Sequence, residues 1–266
     1  MTRLCVIGNS HIVSLRDGWE SVSGEFPGVE ATFFGAPVWL MRRLQRSGSE
    51  LVAGTPELAE RFASSSGGHS SIAGSYDAYI VYGLALSPAA LSGLWEAYRS
   101  LDYASDGRAL LSRRCHHQAV LALLTATPAG RTLTMLSRAT RAPILLLAAP
   151  MRSDEDPAYL EAPIGNGDDR ALNDSFLAGC RDLAHKNDAR FAQQPQATLG
   201  ACPLTTLRRF ALGAGLTGPK TEGDLIHMTG EYGALLLRQV LADFLKAGAG
   251  ARTSSRSPHT PRSSAG

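Results

Sequence analysis

Residues 4–11 read Leu4-Cys5-Val6-Ile7-Gly8-Asn9-Ser10-His11, an apolar run that ends in a polar turn. The four apolar residues predict a first β-strand that is buried on both faces. A helical pattern begins directly afterwards, at Ile12. Ser10 therefore falls at the carboxyl end of a strand, which is where open α/β sheets bind their ligands. Asn and Ser are also preferred helix N-caps, so capping is an alternative role for Asn9 or Ser10.

Strand and helix patterns alternate along the chain, which predicts an α/β fold with a parallel sheet of about five strands. The predicted strands are Arg3–Ile7, Val29–Phe34, Ala78–Tyr82, Pro143–Ala149 and Ala189–Gln194. Apolar spacing predicts helices at Ile12–Trp19, Ala89–Leu101, Ala109–Thr127, Ala171–His185 and Gly230–Leu245. Two segments rich in small and polar residues are predicted loops, Ser64–Gly74 and Ser153–Asp169.

The length of 266 residues and the hydrophobic content of 44% suit a single well-buried domain, predicted at residues 1–246. Residues 247–266 are rich in Ser, Pro and Arg, have no apolar pattern, and are predicted to be a disordered basic tail. The tail holds three arginines and no acid, so the net charge of +2 leaves −1 (2 − 3) for the domain. A nearly neutral domain predicts no nucleic-acid partner.

The four cysteines are scattered, with no C-x-x-C pair and no spacing typical of a metal site. This pattern predicts reduced thiols, no metal and no cofactor, and a cytoplasmic location. The chain shows no signal-peptide pattern and no apolar run long enough to cross a bilayer, so no membrane association is predicted. No feature of the sequence indicates an oligomeric state.

A second motif, Asp224-Leu225-Ile226-His227, lies just before the last predicted helix. A serine hydroxyl becomes a useful nucleophile when an imidazole takes its proton, and a carboxylate then orients the imidazole. Taken singly, Asp224 and His227 are typical of solvated loop residues. Their order with Ser10, one after the first strand and two before the last helix, favours a catalytic Ser-His-Asp set.

Both motifs resemble those of the SGNH/GDSL hydrolase superfamily. Residues 8–11 are similar to its first block, G-[DN]-S-[LHIN], and residues 224–227 to its last block, D-x-x-H. The resemblance implies a three-layer α/β/α sandwich with a flavodoxin-like, doubly wound parallel sheet. It further implies that Ser10 is the nucleophile, His227 the base and Asp224 the residue that orients the base. The G-x-S-x-G elbow of other esterases does not fit, because Ile12 stands where its second glycine belongs.

The two middle blocks of the superfamily supply the oxyanion hole, and the resemblance assigns that role here to Gly35 and Gly83. The third block reads G-x-N-D in the family, whereas this chain has Gly83-Leu84-Ala85-Leu86 and lacks the asparagine. Loss of one oxyanion donor typically slows turnover by about 10²- to 10³-fold. Asn9 and His11, on either side of Ser10, are the alternative donors.

Arg152 follows the strand predicted at Pro143–Ala149. Two interpretations of this residue stay open at this point. It either contacts an anionic or sugar substrate, or it is an exposed loop residue.

The first functional hypothesis is a serine ester hydrolase that acts through an acyl-enzyme. Its expected substrates are small-molecule or carbohydrate esters of short acyl groups such as acetyl. The second is a catalytically weak or inactive SGNH-like module that binds a glycan or another small molecule. The third is an unrelated flavodoxin-like binding protein, in which Ser10 caps a helix that binds an anion and His227 lies far away.

Overall fold

The computed structural model of the chain describes residues 1–101, 107–157, 168–211 and 224–254, with side chains described as far as residue 245. Its strands, in chain order, are β1 (Thr2–Gly8), β2 (Val29–Gly35), β3 (Leu44–Ser47), β4 (Glu50–Ala53), β5 (Ser71–Ile72), β6 (Ala78–Tyr82), β7 (Tyr98–Ser100), β8 (Ala109–Leu111), β9 (Ile144–Leu147), β10 (Arg152–Ser153), β11 (Arg190–Ala192) and β12 (Thr205–Thr206). The α-helices are α1 (Ile12–Val22), α2 (Val38–Met41), α3 (Pro56–Ser66), α4 (Ser92–Ala97), α5 (Arg113–Ala126), α6 (Pro128–Ala139), α7 (Asp169–His185) and α8 (Gly230–Ser254).

Five parallel strands form the central sheet in the order β11-β9-β6-β1-β2. The chain moves outward from β1 to β2 and then returns past β1 to β6. The order therefore reverses between β1 and β6, and ligands bind at such a switch point, outside the carboxyl ends of the strands. The predicted α/β class and its doubly wound parallel sheet of five strands are confirmed.

Helices cover both faces of this sheet, which gives the three layers that the family resemblance implies. On one face Leu4 and Val6 of β1 pack in a cluster with residues of α1 and α8. On the other face Cys5 and Ile7 pack in a cluster with residues of α3, α5, α6 and α7. Both faces of β1 are thus buried, and this explains why its sequence is a continuous apolar run.

The edges of the predicted elements differ from those observed. The helix predicted at Ala109–Thr127 is instead strand β8 followed by α5, because the Ser112 hydroxyl accepts a hydrogen bond from the Cys115 N–H at 3.2 Å and starts the helix there. The helix predicted at Ala89–Leu101 divides into a 3-10 turn, α4 and β7. In the predicted loop Ser64–Gly74, the end of α3 and strand β5 account for part of the segment.

The second predicted loop, Ser153–Asp169, begins at the end of β10 and ends at the start of α7, and residues 158–167 lie outside the described residues. Helix α8 continues to Ser254, so the backbone of residues 247–254 is helical where a disordered tail was predicted. The remainder of the predicted tail, residues 255–266, lies outside the described residues.

The four cysteines are free thiols. Among the described residues no single helix is long and apolar enough to cross a membrane, although the bent pair α5–α6 passes that test of length and composition when its two helices are taken together. The predicted cytoplasmic location stays a prediction.

Helices α1 and α8 cross at unusually short range, because glycines stand at the contact. A Cβ atom added to Gly18 would lie 2.9 Å from the Gly233 Cα, and one added to Gly233 would collide with the Ser14 carbonyl group. Gly230 makes a similar approach, since its added Cβ would lie 3.0 Å from the Asp17 Cβ. The crossing therefore requires glycine, and it holds together the helix that follows Ser10 and the helix that follows His227.

We expect Gly233→Ala to lower the free energy of unfolding by about 2 kcal/mol or more, because the new methyl group meets backbone that has no rotamer with which to yield. Urea denaturation measures the change. Gly93→Ala is the matched control, since nothing lies within 4 Å of a Cβ at that position, and it is expected to leave stability unchanged or slightly increased. Equal stability of the two variants would contradict the tight crossing.

Candidate active site

Ser10 lies in the turn that joins β1 to α1. The carbonyl oxygens of Asn9 and Ser10 accept hydrogen bonds from the N–H groups of Ile12 and Val13, at 3.0 and 3.4 Å. The N-cap position of α1 belongs to His11, and no side chain makes a capping hydrogen bond there. The capping alternative for Asn9 and Ser10 is thus wrong, and the Ser10 hydroxyl is available for another partner.

The histidine and the aspartate share one short loop ahead of α8. Asp224 Oδ1 accepts hydrogen bonds from the N–H groups of Ile226 and His227, at 2.9 and 2.8 Å. The Leu225 carbonyl accepts a hydrogen bond from the Ser153 N–H at 3.0 Å, which ties the loop to β10. These bonds hold the carboxylate and the imidazole in a set orientation without any contribution from a ligand.

The three predicted residues form a continuous line of hydrogen bonds. Asp224 Oδ2 lies 2.7 Å from His227 Nδ1, and His227 Nε2 lies 2.8 Å from Ser10 Oγ. With the proton on Nδ1 donated to the carboxylate, Nε2 is free to accept from the serine hydroxyl. This proximity contradicts the third hypothesis, in which His227 lies far from Ser10.

Asp224 is ionised in this arrangement. Burial opposes its charge, but the hydrogen bonds from the backbone N–H groups of His227 and Ile226, and from the His227 ring, hold the pKa of Asp224 below its usual value. Its side chain is 18% exposed and that of His227 is 23% exposed, so the pair is reachable from solvent. A carboxylate that stays charged can both orient the imidazole and stabilise its protonated form.

His11 packs beside this line and stays neutral. Its ring centroid lies 5.4 Å from that of His227, and its buried Nδ1 has no hydrogen-bond partner among the described residues. Burial, reinforced by the charge of protonated His227, lowers the pKa of His11 to about 3, against a weaker opposing effect of Asp224. His11 therefore adds no positive charge next to His227 at neutral pH.

The two glycines assigned to the oxyanion hole flank β1, but their N–H groups are engaged elsewhere. The Gly35 N–H donates to Ser65 Oγ at 2.9 Å, and the Gly83 N–H donates to the Leu147 carbonyl at 3.1 Å. In this geometry neither N–H is available to a substrate oxygen. The backbone N–H of Ser10, by contrast, has no acceptor among the described residues.

The segment after β6 turns in the left-handed region of backbone space. Gly83, Leu84 and Ala85 have φ values of 72°, 52° and 61°. Leu84 and Ala85 each accept a conformation that costs a non-glycine residue roughly 1–2 kcal/mol. The turn is held by burial of the Leu84 side chain and by two hydrogen bonds, Leu84 N–H to Asn9 Oδ1 at 3.1 Å and Ala129 N–H to the Leu84 carbonyl at 3.1 Å. Backbone strain of this kind is concentrated at functional sites.

A cavity of about 210 Å³ opens beside the turn, and most of its lining side chains are apolar. Its lining residues are Asn9, His11, Val38, Ala85, Ser87, Pro88, Ala89, Ala149, Pro150, Met151, Arg152, Leu204 and Ile226. Since Asn9 and His11 flank Ser10 and Ile226 adjoins His227, the cavity lies next to the hydrogen-bonded line.

Arg152, the first residue of β10, lines this cavity and is exposed, and its contact with a substrate stays a prediction. Its guanidinium pairs with the buried Asp156 carboxylate at 2.9 Å, which partly neutralises it. Among the described residues no group of three or more His, Cys, Asp or Glu side chains could hold a metal ion.

Sequence reasoning missed most of the cavity wall, including Val38, Met151 and Leu204. Their residue types are those of an ordinary core, so no local pattern marks them. The one usable signal was position, because Met151 follows β9 closely at the carboxyl edge of the sheet. Ser65, which takes the Gly35 N–H, also carried no signal, since it lies in a segment predicted as a loop.

The three-layer α/β/α sandwich, with Ser10 after β1 hydrogen-bonded to His227 ahead of α8, has the architecture that the SGNH/GDSL resemblance implies, and the predicted fold is confirmed. No family model matches the chain, and no curated protein sequence matches it.

Several solved structures are similar to it. One is an extracellular lipase from Streptomyces rimosus, with 11% identity, 92% of this chain and 100% of that chain covered, and a TM-score of 0.47. Another is a carbohydrate acetylesterase family member from Sinorhizobium meliloti, with 11% identity, coverage of 92% and 100%, and a TM-score of 0.43. A third is the periplasmic domain of a lipopolysaccharide acetyltransferase from Salmonella ser. Paratyphi A, with 10% identity, coverage of 91% and 83%, and a TM-score of 0.44. At such values the likeness carries no residue roles, and the case for function rests on the site.

The lowered pKa of His11 predicts a loss of stability in acid. Between its ordinary value of 6.5 and about 3, the unfolded chain binds a proton at His11 that the folded chain does not bind. The free energy of unfolding therefore decreases as the pH is lowered through this window, by at most about 1.4 kcal/mol per pH unit for one proton. We expect His11→Phe to reduce this slope in urea titrations at several pH values, and the exposed His185→Gln to retain it. An unchanged slope in His11→Phe would contradict the neutral state of His11 in the folded protein.

Proposed function

We propose that this protein is a serine ester hydrolase that forms an acyl-enzyme at Ser10. The observation that carries the proposal is the unbroken line from Asp224 Oδ2 through His227 to Ser10 Oγ, with distances of 2.7 and 2.8 Å, at the carboxyl end of the first strand. A hydroxyl whose hydrogen-bond acceptor is an imidazole oriented by a carboxylate is equipped for nucleophilic attack on a carbonyl carbon.

The reaction follows from the positions of the protons. Ser10 Oγ attacks the ester carbonyl carbon while His227 Nε2 takes the hydroxyl proton, and Asp224 stabilises the imidazolium that forms. The tetrahedral intermediate collapses, the bond to the alcohol oxygen breaks, and His227 returns its proton to the departing alcohol. Water, deprotonated by His227, then attacks the acyl carbon, and Ser10 leaves with the proton restored.

The cavity favours short acyl groups over long ones. Its volume of about 210 Å³ and its lining of Ala, Pro and Val side chains have room for an acetyl or a similar group beside Ser10. Arg152 and Ser87 supply polar groups at the cavity wall for the alcohol part of the ester, which fits a small-molecule or carbohydrate ester.

The second candidate function is a catalytically weak SGNH-like module that binds a glycan or another small molecule. It is favoured by the engaged N–H groups of Gly35 and Gly83 together with the missing third-block asparagine. Turnover of 4-nitrophenyl acetate at about 1 s⁻¹ or faster, within the usual range of enzymes, that disappears in His227→Ala would exclude it.

We expect a fluorophosphonate probe to label the protein at Ser10, because an activated serine oxygen displaces its fluoride. Ser10→Ala abolishes labelling, and His227→Ala and Asp224→Asn lower the turnover of 4-nitrophenyl acetate by roughly 10⁴-fold, the loss seen when such a set is broken. Mass spectrometry of the labelled peptide and initial-rate kinetics measure the two effects.

The exposed residues Ser21 and His185 provide matched controls. Ser21→Ala, on the same helix that follows Ser10, and His185→Ala are expected to behave like the wild type. Labelling that survives in Ser10→Ala would show that another residue reacts and would reject Ser10 as the nucleophile.

A further inference from the structure

An acyl-transfer site needs hydrogen-bond donors about 2.7–3.1 Å from the oxygen that becomes negatively charged. The Ser10 N–H is one available donor. The N–H groups of Gly35 and Gly83 are engaged with other acceptors, and Leu84-Ala85-Leu86 contains no amide side chain. If the protein is an ester hydrolase, a second donor beside the Ser10 N–H would come from another group that lines the neighbouring cavity.

We propose that the side-chain amide of Asn9 is this donor, so that Asn9 Nδ2 binds the carbonyl oxygen of the substrate and the oxyanion that follows. The proposal rests on the proposed function and adds to it a catalytic residue that precedes the nucleophile. The residue comes from the first block, and it acts in place of the asparagine that the third block lacks.

The orientation of the Asn9 side chain follows from one hydrogen bond. The Leu84 N–H lies 3.1 Å from Asn9 Oδ1, and since an amide NH₂ group has no lone pair to offer, the oxygen must be the atom that faces this N–H. The Nδ2 group is therefore on the other branch of the amide. The Nδ2 atom has no acceptor among the described residues. It is also not among the fully buried polar atoms that lack a partner, so part of its surface is accessible.

The surroundings of Asn9 direct this free donor toward the cavity. The residue is only 6% exposed, yet it lines the cavity together with His11 and Ala85. What little of the side chain can be reached is thus reached from the cavity beside Ser10. Its N–H groups, which have no acceptor among the described residues, can therefore donate to water or to a ligand in the cavity.

The left-handed turn explains how the amide is kept in place. A Cβ atom at position 83 would lie 2.5 Å from Asn9 Oδ1, so Gly83 is required for the side chain to fit. The positive φ values of Leu84 and Ala85 accompany the approach of the Leu84 N–H to that oxygen. The cost of the strained turn is consistent with a function that depends on where Asn9 points.

An aspartate at position 9 would preserve the hydrogen bond from the Leu84 N–H but could not act as the donor to the substrate oxygen. Its carboxylate can accept the Leu84 N–H just as Asn9 Oδ1 does, but an ionised carboxylate has no proton to give to an oxyanion. Asn9→Asp therefore separates the two roles of the residue, positioning of the turn and donation to the substrate, with almost no change in shape.

The test compares wild type and Asn9→Asp with 4-nitrophenyl acetate as substrate. We expect kcat to fall by about 10²- to 10³-fold, the typical loss for one oxyanion donor, with KM changed by less than about threefold. The midpoint of thermal unfolding is expected to stay close to that of the wild type, because the bond to the Leu84 N–H remains. A wild-type kcat in Asn9→Asp would overturn the proposal and leave Asn9 with only a structural role, as the acceptor of the Leu84 N–H.

The pH profile separates a lost donor from an added charge. A new carboxylate near Ser10 would favour the protonated form of the general base, and a loss due to this effect would be recovered at alkaline pH. A kcat that stays low across the whole profile supports the donor, and full recovery overturns it.

Asn9→Ala is the second variant, to be used if Asn9→Asp does not fold. It removes donor and clamp together, so a folded Asn9→Ala with wild-type kcat overturns the proposal, and a loss of about 10²-fold or more supports it. If the wild type itself neither turns over the ester nor reacts with the fluorophosphonate, the proposed function fails, and this proposal fails with it. That outcome is recognised in the wild type alone, without any variant.

Discussion

The close crossing of α1 and α8 is the contact on which the rest of the site depends. Ser10 stands just before α1 and His227 just before α8, so the relation between the two helices sets the relation between the two loops. Gly18 and Gly233 let the helix backbones approach more closely than any side chain would permit. A hydrogen bond of 2.8 Å between residues 217 positions apart is the result. The line of polar groups is therefore a product of backbone packing some distance away.

The central sheet places the other components around this line. Because β1 is flanked by β2 and β6, the segments after all three strands meet at one edge. After β2 the Gly35 N–H is unavailable as a donor to a ligand, because it already donates to Ser65 Oγ on α3. After β6 it forms a strained turn that grips the Asn9 side chain. The site thus shares residue types with the first and last blocks of the SGNH/GDSL pattern and differs from that pattern after β6, where the asparagine is missing.

Much of the fold was predictable, for a reason that also explains the failures. The inner strands β1, β6 and β9 are buried on both faces, so their sequences are apolar runs that can be recognised without knowledge of their neighbours. Strands β10 and β12 have two residues each, and they exist only because they pair with each other. The small antiparallel sheet of β3, β4 and β5 likewise depends on pairing between its strands. The local pattern of apolar residues therefore predicts which strands are buried, but it does not predict which short segments pair with each other.

The sequence by itself determined the α/β class and the identities of Ser10, Asp224 and His227, because residue type and order along the chain carry that information. Only the tertiary structure decided which backbone N–H groups are free, that Asn9 is clamped by Leu84, and that His11 is neutral. Whether a donor is free depends on the acceptor that packs against it, and for Gly35 that acceptor lies thirty residues away on another element. Such information belongs to contacts between distant segments, and no local stretch of sequence contains it.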